Sequence, residues 1–189
     1  VSVTNLNDNS PAFTSSATLN AAENQTAIGT VTATDADVSD TVTFTVSGSE
    51  LAITSAGVLT FTSAPDYETK SSYTATVTAT DGTNSTTQSI TVSVTNLNDN
   101  SPAFTSSATF SAAENETNIG TVTATDADGE PVTYSLSGTD VSSMTINSTS
   151  GLLTFNSNPD YETKTSYTAT VTVTDGVNAI PQNITVSVT

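Results

Sequence analysis

From residue 73 to residue 80 the chain reads Tyr-Thr-Ala-Thr-Val-Thr-Ala-Thr, a strict alternation of apolar and polar residues. A period of two predicts half-buried strands. Further strands follow from Val31 and Ala33 set against Thr30, Thr32 and Thr34, from Val42, Phe44 and Val46, from Leu51 and Ile53, from 58–61, and from Ile90, Val92 and Val94. An edge strand is expected over 13–19. Turns fall at Ser47-Gly48 and Ala56-Gly57, where glycine interrupts the pattern. The second half repeats the scheme over 119–125, 132–137, 144–147, 152–155, 167–173 and 184–188, and no segment carries a helical period. Seven short strands per half, separated by turns, predict an all-β chain of two immunoglobulin-like Greek-key sandwiches. Aromatic residues are few, so Phe13, Phe44, Phe61, Tyr67 and Tyr73 are expected to anchor the first core. Phe104, Tyr134, Phe155, Tyr161 and Tyr167 are their counterparts in the second. The outward threonines suit a strand surface, threonine being the polar residue with the best strand propensity.

The halves match residue by residue. Asp8 and Asp99, Glu23 and Glu114, and Asp35 and Asp126 are each 91 apart, and after an insertion near 140–150 the spacing is 94, as between Asp66 and Asp160. Each unit is large enough to hold its own core. The expected organisation is 1–10, an N-terminal linker from a preceding repeat; 11–95, the first repeat; 96–101, a linker; and 102–189, the second repeat. Residues 1–4 read like 92–95 and 186–189, as though the chain opens on the last strand of an earlier unit. This predicts a stretch from the interior of a longer protein.

Charge narrows the chemistry. The sequence carries 19 acids against two basic residues, Lys70 and Lys164, for a net charge of −17, with no Cys, His or Trp. Nothing here neutralises phosphates, which excludes nucleic acid and anionic membrane as expected partners, and no apolar run is long enough to span a bilayer. Fourteen of the acids are paired between the halves: Asp8, Glu23, Asp35, Asp37, Asp66, Glu68 and Asp81 with Asp99, Glu114, Asp126, Asp128, Asp160, Glu162 and Asp175. Asp40, Glu50, Glu116, Glu130 and Asp140 have no counterpart at these spacings. A merely solvating coat would not sort itself in this way. Without nitrogen or sulfur ligands, clusters of carboxylate and amide oxygens point to calcium or magnesium, and calcium is favoured because it accepts roughly six to eight oxygens in irregular geometry.

Asn96-Leu97-Asn98-Asp99-Asn100 and Asn5-Leu6-Asn7-Asp8-Asn9 both run into Ser-Pro-Ala-Phe. Asn96 to Pro102 resembles the Asp-x-Asn-Asp-Asn-x-Pro linker of cadherin repeats, with Asn96 in place of the first aspartate. Four further cadherin-type words recur in the family's order: Ala-Glu-Asn at 22–24 and 113–115, Asp-Ala-Asp at 35–37 and 126–128, Asp-Tyr-Glu at 66–68 and 160–162, and Asp-Gly at 81–82 and 175–176. The resemblance covers essentially the whole chain. It implies that the linker at 96–101 is a calcium site, fed by Glu23, Asp66 and Glu68 from the first unit. Asn96, Leu97, Asn98, Asp99 and Asn100 join them from the linker, and Asp126, Asp128 and Asp175 from the second unit. About 18 oxygens are on offer, enough for about three ions. A half-site with at least one ion is implied by Asn7, Asp8, Asn9, Asp35, Asp37 and Asp81. Glu114, Asp160 and Glu162, with no linker after them, are expected to hold little metal. Asn96 removes one charge, which weakens one ion without abolishing it. Val38 stands where the second unit has Gly129, a change expected to alter that loop.

The implied function is that of a calcium-rigidified spacer or adhesion module of a secreted or cell-surface protein. Its partners would be flanking repeats of the same protein and a homophilic or heterophilic surface protein. The Thr/Ser-rich, lysine-poor style resembles bacterial adhesins. The alternative reading is a calcium-dependent carbohydrate-binding module of a polysaccharide-associated protein. No enzyme is expected, since a catalytic serine would have no base.

Overall fold

The strongest alternating stretch becomes the central strand of its sheet in the computed structural model, which describes residues 6–37 and 40–189. Residues 1–4 and Val38, on which two expectations rest, lie outside the described residues. The chain divides into two compact units, one ending at Leu97 and the other running from Asn98 to Thr189.

In the first unit the strands are β1 (Ala12–Phe13), β2 (Thr18–Ala22), β3 (Ala27–Thr30), β4 (Ala33–Thr34), β5 (Thr43–Val46), β6 (Leu51–Ile53), β7 (Val58–Phe61), β8 (Ser72–Thr80) and β9 (Ser85–Thr95). One sheet has the order β2-β9-β8-β5 and the facing one β3-β7-β6, while β1 pairs with β4. Strand β2 runs parallel to β9, with Leu19 opposite Val92; the β8–β9 and β5–β8 pairs are antiparallel. Nine segments make seven strands, because the first and second are each broken in two. The break follows from sheet switching. β1 pairs with β4 and β2 with β9, so 13–19 is not one edge strand, and the strand expected over 30–34 is interrupted at Val31-Thr32.

Alternation then places the core. Leu59, Val77, Ala79 and Val92 are fully buried, with Phe44 and Phe61 beside them. At the interruption, Val31 donates its N–H to the Gly57 carbonyl at 2.8 Å. The backbones pass so closely that a Cβ on Gly57 would lie 2.2 Å from the Val31 oxygen, and Gly57 has φ 87°. Only glycine fits there. Gly151 repeats the arrangement against Val122 at 2.1 Å.

The second unit contains β10 (Ala103–Phe104), β11 (Thr109–Ala112), β12 (Asn118–Thr121), β13 (Ala124–Thr125), β14 (Thr133–Ser137), β15 (Met144–Ile146), β16 (Leu152–Phe155), β17 (Ser166–Thr174) and β18 (Ala179–Val188). Its sheets are β11-β18-β17-β14 and β12-β16-β15, the same topology as before. Three extra residues form a one-turn 3-10 segment, Val141–Ser143, leading into β15, and a fourth lengthens the turn before Gly151.

Two expected core anchors are not core. Tyr67 and Tyr161 are 37% and 46% exposed. At Tyr67 the backbone is recruited instead, its N–H donating to Glu23 Oε2 at 2.8 Å. Phe44, Phe61, Tyr134 and Phe155 are buried, and Phe13, Tyr73, Phe104 and Tyr167 pack against the clusters partly buried.

Candidate metal centre

Sandwich loops gather at the two ends of a domain, and strand direction decides which acids meet. In the first unit β4 leads into 35–37 and the β8–β9 turn carries 81–84, so both lie at the end where the linker 7–10 enters. Asp37, only 5% exposed, accepts the N–H groups of Asp8 and Asn9 at 3.0 and 2.8 Å and the Asn9 side-chain amide at 3.0 Å. The N–H groups of Thr83 and Asn84 close on Asp81 Oδ1 at 2.7 and 2.6 Å. Asp35 turns one oxygen, Oδ1, onto the Asp37 N–H at 2.8 Å. Its other oxygen, Oδ2, is buried and meets no hydrogen-bond donor.

The second unit rebuilds this arrangement. Asp128, 9% exposed, accepts the N–H groups of Asp99 and Asn100 at 3.0 and 2.8 Å and the Asn100 amide at 2.6 Å. Asp175 Oδ1 accepts from Val177 and Asn178, and Asp126 Oδ1 from Asp128. Asp126 Oδ2, like its counterpart, is buried without a donor.

Sequence reasoning passed over two participants. Asn84 donates its side-chain amide to Asn7 Oδ1 at 2.8 Å and to the Asn9 carbonyl at 2.9 Å; Asn178 does the same to Asn98 and Asn100 at 3.3 and 2.9 Å. Both clasp the linker onto the following sandwich. Their signal was present in the sequence, since Asp-Gly-x-Asn recurs at the spacing of 94.

Electrostatics follow the hydrogen bonds. The Asn9 N–H holds Asp37 below the ordinary carboxylate range. Burial opposes ionisation of Asp81 and Asp175, yet the N–H donors of Asn84 and Asn178 outweigh it and hold both low. Asp40 goes the other way, pushed up by burial and then by the charges of Asp37, Asp35 and Asp81. Asp37, Asp81 and Asp175 are therefore held as anions at neutral pH.

At the opposite end of the first unit three segments meet. Glu23 donates its N–H to the Thr95 carbonyl and Asn24 donates to Pro65, with Asn24 at φ 62°. Glu23 is buried to 2% exposure and accepts from Leu97 N–H at 2.7 Å through Oε1 and from Tyr67 through Oε2. Glu23, Asp66 and Glu68 bring oxygens within 4.8 Å of one another. The Thr69 hydroxyl holds Asp66 low. The second unit assembles Glu114, Asp160 and Glu162 within the same span.

Two further acid pairs correct the sequence-based sorting. Lys70 pairs with Glu50 and Lys164 with Asp140, and each lysine also lies over a tyrosine ring, Tyr73 at 4.4 Å and Tyr167 at 4.6 Å. Glu50 and Asp140 are thus counterparts. Asp40 and Glu130 follow the same Asp-x-Asp turn. A one-residue deletion after Asp128 and the later insertion shift both pairs off the spacings of 91 and 94.

The donor set fits a hard divalent cation: only oxygens converge, and each unit leaves a buried carboxylate oxygen with no donor, which is costly unless a cation meets it.

Residues 108–189 match the cadherin domain family. The chain is 33% identical to the mouse cadherin EGF LAG seven-pass G-type receptor 1 over 96% of its own length, spanning 6% of that relative. Its fold is similar to that of the mouse cadherin-23 EC22-24 crystal structure, with a TM-score of 0.81 and 25% identity over 98% of this chain and 66% of that one. It is also similar to the protocadherin gammaB7 EC3-6 cis-dimer structure, with a TM-score of 0.81 and 22% identity over 98% of this chain and 52% of that one.

Proposed function

We propose that this chain, which resembles a tandem of cadherin repeats, is a calcium-stiffened segment of an extracellular adhesion protein. The observation that carries the reading is the pair Asp35 Oδ2 and Asp126 Oδ2, buried oxygens without donors at the same place in both units. Asp35, Asp37 and Asp81 with Asn7 and Asn9 would hold calcium before the first sandwich. Asp126, Asp128 and Asp175 with Asn98, Asp99 and Asn100 would do so before the second. Glu23, Asp66 and Glu68, with Asn96 and Leu97, would add ligands where the first unit runs into the linker. Calcium supplies charge neutralisation: without it the carboxylates flanking residues 96–101 repel one another, and with it an ion shared across the linker tethers consecutive repeats. The role is mechanical, and adhesion partners would be flanking repeats and other surface proteins.

Thermal melting and small-angle scattering, with millimolar calcium and with chelator, test this. Calcium should stabilise the chain by about 2.7 kcal/mol at 100-fold excess over the dissociation constant, which for extracellular modules is about 10⁻⁴–10⁻³ M, and should narrow the distance distribution. Identical melts and profiles in both conditions would overturn the proposal.

One observation favours the carbohydrate reading: Tyr67 and Tyr161 are exposed, whereas sequence reasoning had placed them in the core. A glycan array probed in calcium, with a Tyr67→Ala/Tyr161→Ala variant as control, decides it. Binding lost in the variant supports a polysaccharide-associated module.

A further inference from the structure

Glu130 lies outside the residues that the cadherin resemblance assigns to metal, yet it is the acid that most alters one of the two cradles. We propose that Glu130 is an additional ligand for the divalent cation held by Asp126 and Asp128, making the second unit's site tighter than the first's. The proposal rests on the calcium reading above.

Three observations support it. Oxygens of Asp126, Asp128 and Glu130 come within 4.8 Å of one another. Asp126 Oδ2 and Glu130 Oε2 are both closed off from solvent and accept no hydrogen bond. The Asp126 carboxylate is already oriented, because its other oxygen is held by the Asp128 N–H at 3.0 Å. Two desolvated anionic oxygens with no donor are unfavourable unless a cation meets both. No basic side chain does so, since the chain's two lysines are engaged at Glu50 and Asp140. With oxygen ligands alone, the cation is a hard one of the calcium or magnesium class.

The first unit supplies the contrast. There the turn after Asp-Ala-Asp is one residue longer and ends in Asp40, one methylene shorter than glutamate. Among the described residues, Asp40 joins no group of three acids within 4.8 Å. Deleting one residue and lengthening the side chain therefore brings an extra anionic oxygen to the second cradle.

The test is calorimetric titration of the full chain with calcium chloride, run on the parent, Glu130→Gln, Glu130→Asp and Asp40→Asn, alongside melts in chelator. Glu130→Gln should weaken the tightest calcium step at least about tenfold, the loss typical even of an outer-shell partner. In chelator the same variant should melt above the parent, because a repelling charge is gone. Glu130→Asp keeps the charge but not the reach, so it should also bind more weakly, while Asp40→Asn leaves the tightest step unchanged. Parent-like titration of Glu130→Gln overturns the assignment and leaves the calcium reading standing. Weakening in Glu130→Gln with parent affinity in Glu130→Asp also overturns it, because charge at a distance then explains the effect. A parent that takes up no calcium removes both readings.

Discussion

Glu23 and Glu114 stand in the same Ala-Glu-Asn word, yet they end in different surroundings. Glu23 is buried, with both oxygens met by backbone N–H groups, one from Leu97 and one from Tyr67. Glu114 is more exposed and its N–H is bonded to the Thr189 carbonyl, the counterpart of Glu23 on Thr95. The neighbouring turn closes on its own aspartate in both units, the Thr69 N–H donating to Asp66 at 3.2 Å and the Glu162 N–H to Asp160 at 3.1 Å. At Glu23 the carboxylate is preorganised by main chain, the linker's Leu97 N–H on one oxygen and the Tyr67 N–H on the other. Half of that end of the site is built by main chain, which no motif of side chains displays.

The largest effect expected from this difference is on stability. Glu23→Ala strands two part-buried N–H donors and should cost the first unit about 1 kcal/mol in urea unfolding without calcium, whereas Glu114→Ala should stay within about 0.5 kcal/mol. Equal costs would mean that the linker contact does not order Glu23.

The lysine staples extend the comparison. Asp140 accepts from Lys164 and from the Thr168 N–H at 2.8 Å and is little exposed, while Glu50 is about half exposed. The Lys164 ammonium, and then the Thr168 N–H, hold the Asp140 carboxyl below its ordinary value of 3.8. Its folded value being depressed, the contribution is present above about pH 4 and is lost as pH falls through the folded value. Asp140→Asn should cost about 1–2 kcal/mol at pH 7, and the gap to the parent should close in acid. Glu50→Gln should cost at most about 0.5 kcal/mol. A pH-independent gap for Asp140→Asn would show that packing, not the ion pair, is responsible.

The smallest effect is local. Appending Asn-Leu-Asn-Asp-Asn-Ser-Pro after Thr189 should let Glu114 acquire the partners of Glu23. One such bond, worth about 1 kcal/mol, slows amide exchange at Tyr161 about fivefold. Unchanged exchange would show that the two ends differ for a reason other than the missing linker.

Much of the architecture was legible. The alternation at 73–80 and 167–174 marked the central strands, and the recurring acids marked the cradles around Asp37 and Asp128. What escaped was set by contacts distant in sequence. Tyr67 and Tyr161 read as core by residue type, but the loop turns the Tyr67 backbone inward to serve Glu23. Asn84 and Asn178 went unread, because only the returning linker makes them clasps. Glu50 and Asp140 read as unmatched, because a one-residue deletion after Asp128 hid a spatial equivalence that their lysines reveal.

By itself, then, the sequence determined which segments are strands and which oxygens gather at the ends of each sandwich. Both follow from local periodicity and from a motif order repeated along one chain. Tertiary structure alone decided which carboxylates are held by backbone donors, which oxygens are left buried without one, and that Glu130 joins its cluster while Asp40 does not. Those outcomes depend on main chain arriving from up to 74 residues away, as Leu97 does at Glu23, and on one residue more or less in a turn. The first leaves no trace in the pattern of side chains, and the second is written in the sequence without its consequence.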